Sequence, residues 1–527
     1  MRRVPINKKN IFFLALISLL YLVGIGWGLP SHISAVTDTI APYDTLSFFG
    51  NYSSAQAASR YPAAQYLILS SVYAVVLAFG KLTGMIGSFS SKFPYGMNSP
   101  EYFISGMIVA ARMVSVAMGI VVLLSLRKFK HASLSNFGNI VAVLIIGLSG
   151  TFTYYARAEN VDIPMLCWWA VSQASLWAYI FFDENKKRNL LIAGVAAGLT
   201  IATKDAAAAL GLGAGLIVLL FGVAKIKDGI SFAAATFFTY FVVAVLPQPW
   251  RWVEHIRFND PSGERIVRIA RFVQFDNSLA GQAALLNKTV LDLVSIVSPA
   301  GIALAVAGVI ALMFHRQHRV LVFLILPGVC YYLIFIVNIH FVYERFLLPI
   351  AVATAILAGF GATFLLQNFR RTGQLIIAMC LVWQIGFGYL PITCAQVFDI
   401  KRTLTKTMRE DVPTGTAVMW IGDRTYIPNA DFASQYTLVR PRDVNLKSSY
   451  MAAALKPYEE GAEFVLSEKP LLDERLQLIR ELNYPKWVRA NVIKAGVREY
   501  YLYKSKCGAC FDGQAEWIRQ GDDAGVR

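Results

Sequence analysis

The stretch 102–130, "YFISGMIVAARMVSVAMGIVVLLSLRKFK", decides how the rest of the chain reads. Residues 102–126 hold a single charged side chain, Arg112, and then Arg127, Lys128 and Lys130 arrive together. A helix rises about 1.5 Å per residue, so such a run is long enough for the roughly 30 Å hydrocarbon layer of a bilayer. The same arrangement of apolar runs separated by basic clusters recurs along the sequence. Arg2, Arg3, Lys8 and Lys9 precede the first run, and Lys186, Lys187 and Arg188, then Lys225 and Lys227, then Arg316 and Arg319, then Arg370 and Arg371 fall between later ones. These clusters occupy alternate connections, as cytoplasmic loops do under the positive-inside rule.

Composition agrees. Of 527 residues, 56% are hydrophobic and 16% charged, where soluble domains carry about 25% charge; the mean hydropathy is +0.50. The formal net charge of +16 would suit a nucleic-acid partner if it formed one patch. Its division among short connections makes it a topology signal instead, and no nucleic-acid partner is expected.

The fold class expected is a membrane all-α protein with about eleven transmembrane helices. The spans read as 11–29, 102–126, 136–153, 162–182, 189–203, 206–224, 229–247, 288–314, 319–338, 346–366 and 373–393. The first run follows "MRRVPINKK" and is read as a retained signal anchor, because many spans follow it. Lys204 and Asp205 interrupt 189–224, which reads as two short spans or one long broken helix. With the N-terminus inside, residues 30–101, 248–287 and 395–527 lie outside. "YPAAQYLILSSVYAVVLAFG" in the first outer loop is read as an interfacial helix, since a further span there would turn every later basic cluster outward. Trp250, Trp252 and His255 in the second suit a headgroup-level belt. Residues 1–394 thus form a transmembrane domain and 395–527 a small α/β soluble domain on the outer face. In the latter "IKRTLTKTMREDV" and "LLDERLQLIRELN" read as helices, and "TAVMWIG" and "AEFVLSE" as strands. Cys507 and Cys510 form a lone CGAC, too few thiols for a four-thiolate zinc site and suited to either a disulfide or two free thiols. His315 and His318 sit in a basic connection assigned to the inside. No cofactor is required by these patterns, and a divalent metal is compatible with the acidic residues present.

Ionisable residues gather at the ends of spans on the outer side. Asp38, Asp44 and Arg60 lie in the first outer loop; Arg157, Glu159 and Asp162 in "TYYARAENVDIP"; Lys204 and Asp205 at the next outer turn; and Glu344 and Arg345 in "HFVYERFLLPI". Charges at membrane depth are costly and face a bundle interior or an aqueous cavity. Several from different spans on one side imply one polar cavity. Carboxylates there suit general-base or metal chemistry, and Arg and Lys suit a phosphate. Simpler roles compete: Asp38 or Asp44 as a helix cap, Asp162 as the start of the helix at Ile163–Pro164, and Arg157, Lys204 and Arg345 as side chains snorkelling to headgroups. Arg112, mid-span, calls for a buried partner or a phosphate. Tyr61 and Pro62 suit packing or the cavity floor.

The ordered motifs "GLP" before an acidic first outer loop, "RYPAAQYLILSSVYAVVLA", "VAARMVSVAMG", "YYARAENVDIPMLCWW", "AGVAAGLTIATKDAAAAL" and "ERFLLPIAVA" resemble the polytopic glycosyltransferases of superfamily C. The nearest likeness is to the protein O-mannosyltransferase and lipid A aminoarabinose transferase branch. That resemblance implies an enzyme moving a sugar, hexosyl or pentosyl, from a polyprenyl-phosphate donor in the membrane lipid to an acceptor on the outer face: a lipid, a glycan or a protein. It implies that a first-loop acid is the general base. Asp38 is the positional match, although the family commonly has Asp-Glu where this chain has Asp38-Thr39, which keeps Asp44 in contention. Asp162 matches a further catalytic acid. Arg60, Arg112, Arg157, Lys204 and Arg345 become candidates for the donor phosphate, and Tyr61, Glu159, Tyr343 and Glu344 for the acceptor side or cavity wall. The address expected is a bacterial inner membrane, with multiple passes and the site on the periplasmic side. A transporter of a lipid-linked or anionic solute is the alternative from another class.

Overall fold

The computed structural model describes residues 19–29, 40, 42, 44–46, 61–90, 96–182, 185–249, 273–421, 437–439, 463–467, 470–471, 476–485, 487–488 and 499–505. In chain order the helices are α1 (Ala64–Leu82), α2 (Pro100–Leu126), α3 (Asn136–Gly147), α4 (Gly150–Ala156), α5 (Asp162–Phe181), α6 (Lys186–Thr203), α7 (Ala208–Phe221), α8 (Ile226–Tyr240), α9 (Leu279–Val297), α10 (Pro299–Phe314), α11 (His318–Tyr331), α12 (Leu348–Asn368), α13 (Arg370–Trp383), α14 (Leu390–Val397) and α15 (Ile400–Asp411). A wider π-helical turn extends α8 through Val245 and α11 through Ile336, and another joins α13 to α14 over Gln384–Tyr389.

Among the described residues, six helical stretches are long and apolar enough to cross a bilayer, or up to eight if each bent pair is one span; this makes the chain a multi-pass membrane protein. The run 136–153, read as one span, bends by 67° between α3 and α4, and 288–314 bends by 102° between α9 and α10. At the second bend Ser298 has φ of +72° and its side chain caps the amide of Gly301, with Pro299 opening α10. The expected interruption at Lys204–Asp205 is present: α6 ends there and a single 3₁₀ turn leads into α7. Most of "YPAAQYLILSSVYAVVLAFG", from Ala64 onward, lies in α1, whose length and composition suffice for a span.

The chain clusters into two compact units. One comprises residues 1–22, 43–71 and 111–390, the other 23–42, 72–110 and 391–527. In the first, 83% of the residues in an 18-residue apolar window of Glu344–Asn368, the segment that contains α12, are buried, against 11% of those in the window of Ile226–Val245. α12 is therefore the central post, and α8 presents its sides to lipid. Small residues let α10 and α12 approach closely. A Cβ built on Gly361 would stand 1.8 Å from the Leu304 carbonyl oxygen, and one on Gly308 2.0 Å from that of Leu357. Close packing of this kind, not hydrophobic exclusion from water, holds helices together in lipid.

The second unit contains a five-stranded sheet in the order β2-β1-β3-β5-β4, from β1 (Ala417–Ile421), β2 (Thr437–Val439), β3 (Phe464–Ser467), β4 (Leu476–Leu482) and β5 (Tyr500–Ser505). β2, β1 and β3 are parallel; β5 pairs antiparallel to both β3 and β4. Ile400, Leu404, Met408 and Val412, four apart, place one stripe of α15 on Val418, Trp420, Phe464, Leu466, Tyr500 and Leu502. The alternate residues Met419, Ile421, Val465, Tyr501 and Tyr503 form a core on the other face. One sequence assignment is corrected here. Residues 476–482, read as part of a helix, form β4. Pairing with β5 overrides the helix-like spacing of Leu476, Ile479 and Leu482. A bulge between Leu478 and Arg480 lets Ile479 and Leu482, three apart, pack on the same core.

Candidate functional site

Three helix ends carry the charged residues that the sequence singled out. Asp162 is the first residue of α5, with Val161 rather than Asp162 in the capping position. The amide of Asp162 donates to Asn160 Oδ1 at 2.5 Å. Lys204 follows the last residue of α6. Arg345 lies in the 3₁₀ turn Glu344–Leu347 that leads into α12. A helix carries partial positive charge at its start and partial negative charge at its end. The carboxylate of Asp162 and the ammonium of Lys204 thus sit where their own helices favour them.

Lys204 Nζ lies 2.5 Å from Asp162 Oδ1, and Arg345 Nε 3.9 Å from Asp162 Oδ2. The first contact is a charge-assisted hydrogen bond; the second, through Nε, is electrostatic only. Asp162 is 1% exposed, so this carboxylate faces two cations rather than water. The ring of Phe346 is shared beneath them, 4.7 Å from Lys204 Nζ and 5.3 Å from the Arg345 guanidinium, and Tyr343 gives a second ring at 5.6 Å from the latter. Tyr155, in α4, meets the Arg345 guanidinium through its hydroxyl. Glu344 Oε2 accepts from Thr151 Oγ1 at 2.7 Å. Asp162, Lys204, Tyr343, Glu344 and Arg345 are therefore one neighbourhood, built from the starts of α5 and α12, the end of α6 and the short α4.

Other candidates belong to a different arrangement. Arg112 Nε donates to Glu159 Oε2 at 2.7 Å with both side chains fully buried, which is the buried partner expected for a mid-span arginine. Arg157 is fully buried; its guanidinium donates to the Leu20 carbonyl at 2.6 Å and lies 5.3 Å from the ring of Tyr389. Tyr389 donates to the same carbonyl at 3.1 Å, and Tyr21 donates to the carbonyl of Gly147 at 2.6 Å. Arg157 thus fastens the early chain to the bundle rather than snorkelling to headgroups. Asp44 is half-buried in helical backbone, Tyr61 is half-buried just ahead of α1 and Pro62 is buried beside it. Asp38, Arg60, Trp250, Trp252, His255, Cys507 and Cys510 lie outside the described residues. Among the described residues no group of three His, Cys, Asp or Glu side chains converges as metal ligands.

Sequence reasoning passed over Tyr155, Tyr331, Phe346 and Thr151. Tyr331 is 1% exposed at the end of α11 and within electrostatic reach of Asp162 and Arg345. Its ring stands 5.1 Å from Phe335, whose ring is 5.5 Å from Phe346. The tyrosine pair in "GVCYYLIF" was the available signal, a hydroxyl placed within an otherwise apolar run.

The chain's direction fixes which end of the bundle this is. α5 runs from Asp162 to the connection bearing Lys186, Lys187 and Arg188, and α6 returns from it to Lys204. α12 runs from Arg345 toward Arg370 and Arg371, and α11 from Arg319 toward Tyr331. The acidic and basic neighbourhood lies at the helix ends opposite the basic connections.

With that geometry in place, comparison with known proteins is informative. Residues 103–248 match the sequence profile of the family described as dolichyl-phosphate-mannose-protein mannosyltransferase. The matched segment holds Arg112, Glu159, Asp162 and Lys204. No curated protein sequence matches the chain. Among solved structures, ArnT from Cupriavidus metallidurans, in the apo state and bound to undecaprenyl phosphate, is 12% identical, with 96% of this chain and 99% of that chain covered and a TM-score of 0.46. The oligosaccharyltransferase of Archaeoglobus fulgidus is 11% identical over 87% of this chain and 70% of its own, with a TM-score of 0.42. The S. cerevisiae protein O-mannosyltransferase Pmt1–Pmt2 complex bound to the sugar donor is 18% identical over 48% and 34%, with a TM-score of 0.30.

Proposed function

We propose that this protein is a membrane glycosyltransferase that moves a sugar from a polyprenyl-phosphate donor to an acceptor hydroxyl or similar nucleophile, with inversion. The observation that carries the proposal is the convergence of Lys204 and Arg345 on Asp162 at the helix ends away from the basic connections. The match of residues 103–248 to a lipid-phosphate-dependent family supports it. By the positive-inside rule that end faces outward; in a bacterium it is the periplasmic face of the inner membrane.

In this reading the donor's prenyl chain stays in hydrocarbon and its phosphate is drawn to Lys204 and Arg345. Arg345 is suited to the task because its contact with Asp162, 3.9 Å through Nε, is electrostatic, and its planar guanidinium matches a phosphate in bidentate fashion. Asp162, already neutralised by two cations, orients them. The base is then a first-loop acid, Asp38 with Asp44 as the alternative. It removes the acceptor's proton while the acceptor oxygen forms a bond to the anomeric carbon. The bond from that carbon to the phosphate oxygen breaks on the opposite side, and the electron pair stays on the lipid phosphate. A positioned base contributes about 10²–10⁴-fold. Fixed charges at the leaving phosphate contribute about 3–4 kcal/mol apiece by analogy with oxyanion donors.

Purified full-length protein, given a radiolabelled polyprenyl-phosphate sugar and a cell-envelope fraction as acceptor, should release polyprenyl phosphate and label the acceptor. Asp38→Asn should abolish transfer and retain donor binding. Release of no lipid phosphate from any glucosyl, mannosyl or pentosyl donor would reject the enzyme reading. A transporter of a lipid-linked or anionic solute is the second reading. The two bent helix pairs favour it, since broken helices often line transport sites. It predicts movement of the intact donor across a vesicle membrane with no new glycosidic bond.

A further inference from the structure

We propose that Tyr331 is a phosphate ligand of this site, its hydroxyl donating to an oxygen of the lipid-linked phosphate; the inference rests on the reading of the site given above. Tyr331 is 1% exposed, and its hydroxyl oxygen is buried with no hydrogen-bond partner in the protein. Buried hydroxyls are nearly always satisfied, and one that is not calls for a partner, whether water, an ion or a ligand. The surroundings identify the ligand's chemistry. The hydroxyl lies within electrostatic reach of Asp162 and Arg345, and Arg345 is one of the two cations that would draw an anion. A tyrosine hydroxyl donates one proton, and a phosphate oxygen accepts it without needing a counter-donor.

The helix is built to hold the group still. Tyr331 is the last residue of α11 before the backbone widens into the π-helical turn Tyr332–Ile336, four residues beyond Pro327. Such turns concentrate at functional sites. The ring is wedged against Phe335, and Phe335 against Phe346, the same ring that carries Lys204 and Arg345. Ring position and cation position are therefore coupled through contacts within one unit. Ile339, where the helix ends, is about 12 Å farther along the axis. The residue thus sits about two turns inside the end of its helix.

The test compares a short-chain polyprenyl phosphate with the matching polyprenol, titrated onto full-length protein in detergent micelles. Wild type should bind the phosphate more tightly than the alcohol. Tyr331→Phe should weaken the phosphate about tenfold, leave the alcohol unchanged, and hold or raise the unfolding temperature of ligand-free protein, because it deletes an unsatisfied polar atom. Lys204→Met should also weaken the phosphate. An unchanged affinity in Tyr331→Phe, equal losses for both ligands, or a lower ligand-free unfolding temperature would overturn the role of Tyr331 while leaving the site's reading intact if Lys204→Met still discriminates. If wild type does not distinguish phosphate from alcohol, the site's reading falls, and this inference with it.

Discussion

Two buried carboxylates a few residues apart do different work, and their partners tell which. Glu159 has Arg112 opposite it at 2.7 Å with both side chains fully buried. Such a pair fixes packing, because losing either member leaves an uncompensated charge in a low-dielectric interior. Glu159→Gln should therefore cost about 3–5 kcal/mol of stability, read as a fall in unfolding temperature in detergent. The double change Arg112→Leu with Glu159→Leu should recover most of that loss, since an apolar pair restores packing without stranding a charge. Equal stability of wild type and Glu159→Gln would remove the structural assignment. Asp162 differs: it faces two cations, one of them unbound to it by any hydrogen bond through Nε. Asp162→Asn should thus act chiefly on donor binding and transfer, with a change in donor affinity measurable by the same titration used for Tyr331. The charges themselves were legible in the sequence, because an Asp, Lys or Arg at the end of an apolar run has few cheap explanations. Which of them pair was not, since 42 residues separate Lys204 from Asp162 and only the antiparallel course of α5 and α6 brings them together.

At the scale of elements, close helix contact and one histidine give separate expectations. Gly361→Ala forces a methyl group to within 1.8 Å of the Leu304 carbonyl oxygen, which backbone cannot yield without parting α10 from α12. Overpacking of this kind costs about 1–3 kcal/mol, and Gly386→Ala, where a Cβ meets nothing within 4 Å, is the control that should change little. His131 lies in the connection between α2 and α3, edge-on to the rings of Trp177, Phe181 and Phe360. Its Nδ1 accepts from the Ser133 amide at 3.2 Å. Burial lowers its pKa from the ordinary value, so the fold prefers neutral imidazole. Below about pH 6.5 the unfolded chain takes up a proton that the folded chain resists. The stabilisation is present above that pH and lost as pH falls toward the folded pKa. Between pH 7.5 and 5.5 the unfolding temperature of wild type should fall more steeply than that of His131→Phe; parallel curves would assign the pH dependence elsewhere. Element boundaries show what sequence pattern conveys. Lys204–Asp205 announced its break because charges interrupt an apolar run. The 102° bend at Ser298 was hidden in a continuous apolar run whose only sign was Pro299, and β4 was misread because pairing with β5 is a tertiary effect that local spacing cannot express.

For the whole molecule, the apolar runs made a polytopic membrane protein legible at once, while the number of crossings was not, because α1, α7 and the two bent pairs have lengths or bends compatible with more than one course through a bilayer. The orientation of the site is the property on which function depends, and it rests on charge. Every basic connection from Arg127 to Arg371 closes helix ends opposite Asp162, Lys204 and Arg345, and cytoplasmic loops retain such charge. The expected arrangement therefore places Lys187 on the cytoplasmic side and Asp276, in the exposed segment whose neighbours Gln274 and Phe275 donate to the His340 carbonyl, on the outer side. This is checked in a background with the six native cysteines replaced. A single cysteine introduced as Asp276→Cys should react with a membrane-impermeant maleimide in intact cells, and one introduced as Lys187→Cys only after the membrane is opened. Labelling of both from outside would mean that an additional segment crosses between them. Labelling of Lys187→Cys alone would put the cation cluster in the cytoplasm, where a donor carried on the outer leaflet could not reach it.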